Sequence, residues 1–337
     1  MNKHQTSLEK RNGFDFFQFL YKYGMILVTV LVIAFFWIRL DNFMNFGNIT
    51  NIFRSVAIVA MMAMAMTISL SVDGFDLSVG ATAGFASVIA AKMMVMWELP
   101  TALAIVVPLL VGGVIGAINA FFIIKVKIPD MLTTLSMMFV LTGVSITFQS
   151  GSAIYNYMPI PGGGMAPGLM AKAFLWIGQG KVFGIPVPVI IMLVFAIAIF
   201  IFLKFTKYGR RMYMVGGNAE AARLSGISVN KYKLAAYVLS GVIAAAGGLI
   251  LGARIGSGEV DAGAPFLMDA VAAAYIGFSL LGIGKPNAFG TLLGALLMGI
   301  LLNGLVMMDF PYYSQNIVKG IVLIFALSLT YYYKKTR

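Results

Sequence analysis

The sequence predicts an all-α polytopic membrane protein of about ten transmembrane helices. Three observations predict it. The 337 residues are 60% hydrophobic and only 11% charged, and mean hydropathy is +0.93. So few charges cannot cover the surface of a soluble protein of this length. The apolar residues fall in long charge-free runs, each near the length that crosses a bilayer as a helix. The basic residues gather at the ends of these runs and in one segment, 204–233, which reads KFTKYGRRMYMVGGNAEAARLSGISVNKYK.

The elements follow in order. Segment 1–23 carries Lys3, Lys10, Arg11 and Lys22 but no small-residue cleavage site after a short apolar core. No cleaved signal peptide is expected. Its aromatic residues, from Phe14 to Tyr23, suit a short interfacial helix or the aromatic belt of the first span. A single transmembrane domain, 24–333, then holds spans at 24–38, 52–72, 78–96, 101–124, 131–149, 185–203, 234–253, 268–284, 288–307 and 315–333. With the N-terminus inside, alternation places seventeen of the 24 basic residues on the inner side. These include Lys125, Lys127, the 204–233 segment, Lys285 and the tail 334–337. Basic residues in short loops stay cytoplasmic, so both termini are expected in the cytoplasm. The outer loop 150–184 is rich in Gly and Pro (Pro159, Pro161, Gly162, Gly163, Gly164) and is expected to be irregular. Two five-helix halves would be inverted relative to one another. Gly116, Asn119 and Pro129 in one half have a partial echo in Gly299, Asn303 and Pro311, at unequal spacing.

The charge pattern excludes some functions. The net charge of +12 lies at span ends and in one loop, which is topology and not a nucleic-acid surface. With no Cys and only His4, disulfides and a His-based metal site are not expected. There is no G-x-x-x-x-G-K-[ST], H-E-x-x-H or G-x-S-x-G. Gly282, Gly284 and Lys285 lack both the spacing and the hydroxyl of a phosphate loop.

Three sets of residues are candidates for chemistry. Asp73, Gly74, Asp76, Ser78 and Gly80 interrupt an apolar stretch with two carboxylates. Acids near membrane depth are costly and usually functional. The competing reading is an inner-face turn in which Asp76 caps the next helix. Asn119 and Asn303 lie in apolar helices, where they bond neighbouring helices or line a polar path. Asp269, Glu259 and Asp261 flank the eighth span and read as outer-face solvation. The third set is Gly217, Asn218, Glu220, Ala221, Ala222, Arg223 and Gly226. Asn218 is a plausible N-cap, and the two glycines punctuate a short helix. Ala221 and Ala222 leave a shallow surface, with Glu220 and Arg223 side by side. This patch either receives a cytoplasmic partner or serves topology alone. Glycines at four-residue spacing (Gly80/Gly84, Gly112/Gly116, Gly248/Gly252/Gly256, Gly290/Gly294) allow close helix packing, with a pathway role as the alternative.

Four blocks carry a family resemblance: GFDLSVGA at 74–81, IPDMLTTLSMMFVLTG at 128–143, YGRRMYMVGGNAEAARLSGISV at 208–229, and MDAVAAAYIGFSLLGIGKPNAFGTLLGALLMGILLNGL at 268–305. In them the chain resembles the permease subunits of bacterial ABC sugar importers of the ribose, galactoside, arabinose and xylose type. Phe278 departs from the family, which favours Gly there. The resemblance implies the ten-helix fold of the larger-type importers. It also implies a homodimer, or a heterodimer with a sister permease, in the bacterial cytoplasmic membrane. Two cytoplasmic ATPase subunits and an extracytoplasmic substrate-binding protein complete the assembly. ATP and Mg2+ would bind the partner ATPase, with no cofactor in this chain. A stand-alone secondary transporter is the alternative, for which only Asp73 and Asp76 are candidate coupling charges. A membrane enzyme would need a catalytic constellation, and none is visible.

Overall fold

The computed structural model describes residues 16–160, 162–279 and 285–335. His4, Lys3, Lys10, Arg11, Phe14, Pro161, Gly282, Gly284 and Arg337 lie outside the described residues. Among those described, thirteen α-helices run in the order α1 Phe16–Arg39, α2 Phe46–Leu70, α3 Val79–Val95, α4 Thr101–Phe121, α5 Asp130–Phe148, α6 Lys172–Gln179, α7 Val187–Phe205, α8 Lys207–Gly217, α9 Ala219–Leu224, α10 Val229–Ile255, α11 Ala264–Ser279, α12 Ala288–Met307 and α13 Tyr312–Lys335. Six of them are long and apolar enough to cross a membrane: α2, α4 with its extension to Val126, α5, α7, α10 and α12. The fold is that of an all-α polytopic membrane protein.

Helix α2 is the centre of the bundle. Asn45 caps it, its side chain accepting from the Gly47 amide at 2.9 Å. Every residue from Val56 to Ser69 is buried, and a helix apolar on all sides belongs inside others. Helices α7, α10, α11 and α12 pack against it. The Thr67 and Thr291 hydroxyls lie 2.7 Å apart between α2 and α12. Asn48 and Asn303 exchange hydrogen bonds at 3.1 and 3.0 Å.

Close backbone approach builds the second contact layer. A Cβ on Gly116 would stand 2.1 Å from the Tyr237 carbonyl oxygen, and one on Gly241 would stand 2.0 Å from that of Gly112. Helices α4 and α10 therefore cross with no side chain between them. Gly248 meets the Ala83 backbone in the same way, joining α10 to α3. Gly256 differs from the other spaced glycines. It has φ +77° and ends α10, so its role is that of a left-handed C-cap.

The outer loop is more ordered than its composition predicts. It holds α6 and an antiparallel hairpin of β2 (Lys181–Val182) and β3 (Ile185–Pro186). Phe183 and Gly184 turn the hairpin with φ +49° and +82°, the signs that a tight two-residue turn requires. Strand β1 (Ile154–Tyr155) pairs with β4 (Ser257–Gly258), tying this loop to the end of α10. Helix α1 starts at Phe16 and continues without a break through the first apolar run.

Candidate functional site

The break between α2 and α3 is a polar knot inside the bundle. Asp76 Oδ1 accepts from the Ser78 amide at 3.0 Å and the Ser78 hydroxyl at 2.6 Å. Its Oδ2 accepts from Ser240 Oγ on α10 at 2.7 Å. Asn119 Nδ2, from α4, donates to Ser78 Oγ at 3.0 Å, while Asn119 Oδ1 is buried without a partner among the described residues. Asp76, Ser78, Asn119 and Ser240 are all nearly inaccessible. The competing reading, in which Asp76 caps the first turn of α3, does not hold. Ser78 occupies the N-cap position, and Asp76 spends its second oxygen on another helix.

The start of α5 closes the knot. Tyr237 Oη donates to Asp130 Oδ2 at 2.6 Å. Thr134 Oγ1 accepts from the Leu77 amide at 3.1 Å, and it also lies 3.1 Å from the Phe75 carbonyl oxygen and 2.9 Å from that of Asp130. Gly74 is required here, because its Cβ would stand 2.7 Å from Tyr237 Oη and 3.1 Å from Asp130 Oδ2. Gly80 fits under Gly263, just before α11, and a Cβ on it would also stand 3.5 Å from Leu267 Cβ, so the first turns of α3 and α11 touch. Asp73 is apart from this cluster. It is exposed, with φ +58°, in the turn that leaves α2. Asp130, Thr134, Tyr237 and Ser240 are the members that sequence reasoning missed.

Asn303 does not join the knot, since its partner is Asn48 at the opposite end of α2. Asp269 corrects a second expectation. It is 2% exposed and pairs with Lys319 Nζ at 3.0 Å between α11 and α13. It is therefore no outer-face solvating group. Glu259 and Asp261 are exposed as expected, and Glu259 accepts from Ser257 Oγ at 3.0 Å. Near them Arg254 Nη2 donates to Ser55 Oγ at 3.2 Å, and Arg54 Nε is buried without a partner among the described residues.

The 204–233 segment folds as the end of α7, then α8, α9 and the start of α10. Thr206 caps α8, accepting from the Gly209 amide at 3.1 Å. Gly217 ends α8, and Asn218 caps α9 by accepting from the Ala221 amide at 2.9 Å. Gly226 terminates the unit at φ +76°. Arg223 and Glu220 pair at 2.6 Å on the exposed face, which contributes little to stability in water. Ala222 overturns its expected role. It is 2% exposed and faces its own chain, whereas Ala221 is exposed and Leu224 is 80% exposed. Helix α8 leans on the break: a Cβ at Gly216 would be 2.5 Å from the Ser71 carbonyl oxygen and 2.9 Å from the Asp73 amide. Burial pushes the Tyr213 hydroxyl up to about 12. It therefore stays protonated and donates to the Pro286 carbonyl at 2.5 Å.

An aromatic ladder flanks the knot. Phe75 lies 6.0 Å from Tyr275, which stacks on Phe278 at 5.7 Å. Phe278 therefore fills space beside the break.

Comparison with known proteins bears on this arrangement. Residues 48–327 match the family described as branched-chain amino acid transport system / permease component. The chain is 37% identical to the ribose import permease protein RbsC of Haemophilus influenzae, covering 97% of each chain. It is 36% identical to RbsC of Bacillus subtilis, covering 95% of each. It is 31% identical to the xylose transport system permease protein XylH of Escherichia coli K12, covering 90% of each. No solved structure matches the chain. The break, the glycine crossings and the α8–α9 unit all lie within the matched span. The chain belongs to this family of transport permease components, the one its motifs resemble, and is a transport subunit of the ABC sugar-importer permease type.

Proposed function

We propose that the chain forms the membrane path of an ATP-driven, binding-protein-dependent importer of a sugar or related polyol. The observation that carries the reading is mechanical. The exposed tip of α9 and the buried carboxylate of Asp76 belong to one contiguous unit, joined where Gly216 sits on the turn after α2. A cytoplasmic ATPase gripping Asn218, Glu220, Ala221, Arg223 and Leu224 pushes α8 against that turn. In that turn Ser78 bonds Asn119 on α4, Leu77 bonds Thr134 on α5, and Asp76 bonds Ser240 on α10. Movement at the inner surface is thereby delivered to three helices. ATP and Mg2+ belong to the partner, two copies of which serve two permease subunits.

In the assembled importer the chain has ten spans in two inverted five-helix halves, both termini in the cytoplasm, within a bacterial cytoplasmic membrane. The touching first turns of α3 and α11 support the inverted halves, since transporter repeats of this kind meet at interrupted helices. Ser240 lies six residues past Leu234, where the charge-free part of α10 begins. At 1.5 Å per residue that is about 9 Å along the helix. Asp76 therefore lies just inside the inner membrane boundary.

Reconstitution tests the reading. Ribose or xylose uptake into vesicles is expected only with the ATPase, ATP and binding protein together. Uptake that proceeds without ATPase and follows an ion gradient would establish the secondary-transporter alternative instead.

A further inference from the structure

The groove between α7 and α12 has no part in the function above. It encloses about 740 Å³. Leu203 and Ala288 form its floor, only 2% and 1% exposed. Ile197 and Phe289 stand at its rim, 58% and 53% exposed. Its lining is aliphatic and aromatic except for Lys204, Lys285 and Asn287, and the Asn287 amide is spent on the Gly277 and Lys285 carbonyls and the Gly290 amide. Lys204 lies in the last turn of α7, and Lys285 shortly precedes α12. Neither amine has a carboxylate or hydrogen-bond partner among the described residues. Aromatic rings hold them in place: Lys204 Nζ is 5.1 Å from the Phe200 ring centre, and Lys285 Nζ is 6.0 Å from that of Tyr213. The Tyr213 bond to Pro286 fixes the segment that carries Lys285.

We propose that this groove binds one anionic phospholipid of the inner leaflet. Its acyl chain lies along α7 and α12, and its phosphate sits between Lys204 and Lys285. The charge pattern selects the occupant. A mainly apolar groove ending in two amines that have no anionic partner among the described residues matches a molecule with an apolar tail and an anionic head. Basic pockets between helices on the cytoplasmic side bind such headgroups. A soluble anion would leave the apolar walls uncovered. A second copy docked by two-fold symmetry would set each lysine pair against its own copy. The inner-leaflet assignment rests on the cytoplasmic placement of 204–233, which cysteine labelling tests separately.

The test is native mass spectrometry of the full chain in detergent, titrated with equal amounts of phosphatidylglycerol and phosphatidylcholine. Phosphatidylglycerol is expected to be retained preferentially, by about fivefold for each lysine, or about 1 kcal/mol each. Equal retention of the two lipids by the unaltered protein would overturn the proposal without any variant. The double variant Lys204→Ala/Lys285→Ala should lose the preference. Lys204→Arg/Lys285→Arg and Lys231→Ala/Lys233→Ala should keep it. Retention of the preference by the alanine groove variant, or displacement of the lipid by glycerol phosphate at equal concentration, would also overturn it. So would efficient cross-linking of Ile197→Cys to a second copy in membranes.

Discussion

Asp76 receives hydrogen bonds from one amide and two hydroxyls, which satisfy both its oxygens. Removing the carboxylate orphans buried donors, and each orphan costs about 1–3 kcal/mol. Asp76→Ala should therefore lower the thermal midpoint and reduce transport more than tenfold. Asp76→Asn keeps an acceptor at Oδ1 and lets the Ser240 hydroxyl accept in place of donating. It should assemble normally and transport within about tenfold of the unaltered protein. Wild-type transport by both variants would show that the break is an ordinary loop. At Tyr237, replacement by Phe removes the donor to Asp130 and should cost about 1–3 kcal/mol of stability, read by thermal denaturation in detergent. These partners were invisible in the sequence for a plain reason. Ser240 lies 164 residues from Asp76, and Tyr237 lies 107 from Asp130. An acid beside glycines flags a site, but only the fold names its donors.

The elements divide by how much of their signal is local. Apolar runs located the long helices, and Asn218 with Gly226 bounded α9, because span length and caps are written in neighbouring residues. Which side of α9 faces inward is not local. Ala221 and Ala222 are chemically identical, and packing against the chain buries only the second. Order in the outer loop was likewise hidden, since β1 finds its partner about 100 residues away at Ser257. Asp269 looked exposed because its cation, Lys319, lies on another helix. The glycine spacing was legible as packing, and it yields a paired prediction. Gly116→Ala places a Cβ within 2.1 Å of a backbone oxygen. Prising α4 from α10 should cost about 1–3 kcal/mol. Gly143→Ala on α5 meets nothing within 4 Å and should be neutral or stabilising by up to about 1 kcal/mol. Equal thermal midpoints for the two variants would contradict the close α4–α10 crossing.

Across the whole molecule, orientation and coupling stand together, because a helix outside the cytoplasm cannot meet an ATPase. The chain has no Cys, so single cysteines report sidedness directly. Phe183→Cys, at a fully exposed hairpin tip, should react with an impermeant maleimide from outside. Ser228→Cys should react only after permeabilisation, and the reverse pattern would invert the topology. Ala222→Glu is a poor probe of coupling, since a buried charge is expected to disturb the fold itself. Leu224 is the better probe, being 80% exposed and apolar at the tip of α9. A residue at the centre of an interface that acts as a hot spot contributes about 2 kcal/mol or more, about thirtyfold in affinity. The most direct measurement is therefore substrate-stimulated ATP hydrolysis by the assembled importer carrying Leu224→Glu, with co-purification of the ATPase recorded on the same sample. Coupling through α9 predicts a normally folded permease, ATPase association weakened about thirtyfold or more, and no stimulation by substrate. Unchanged association and full stimulation would contradict it and leave 204–233 as a topological loop.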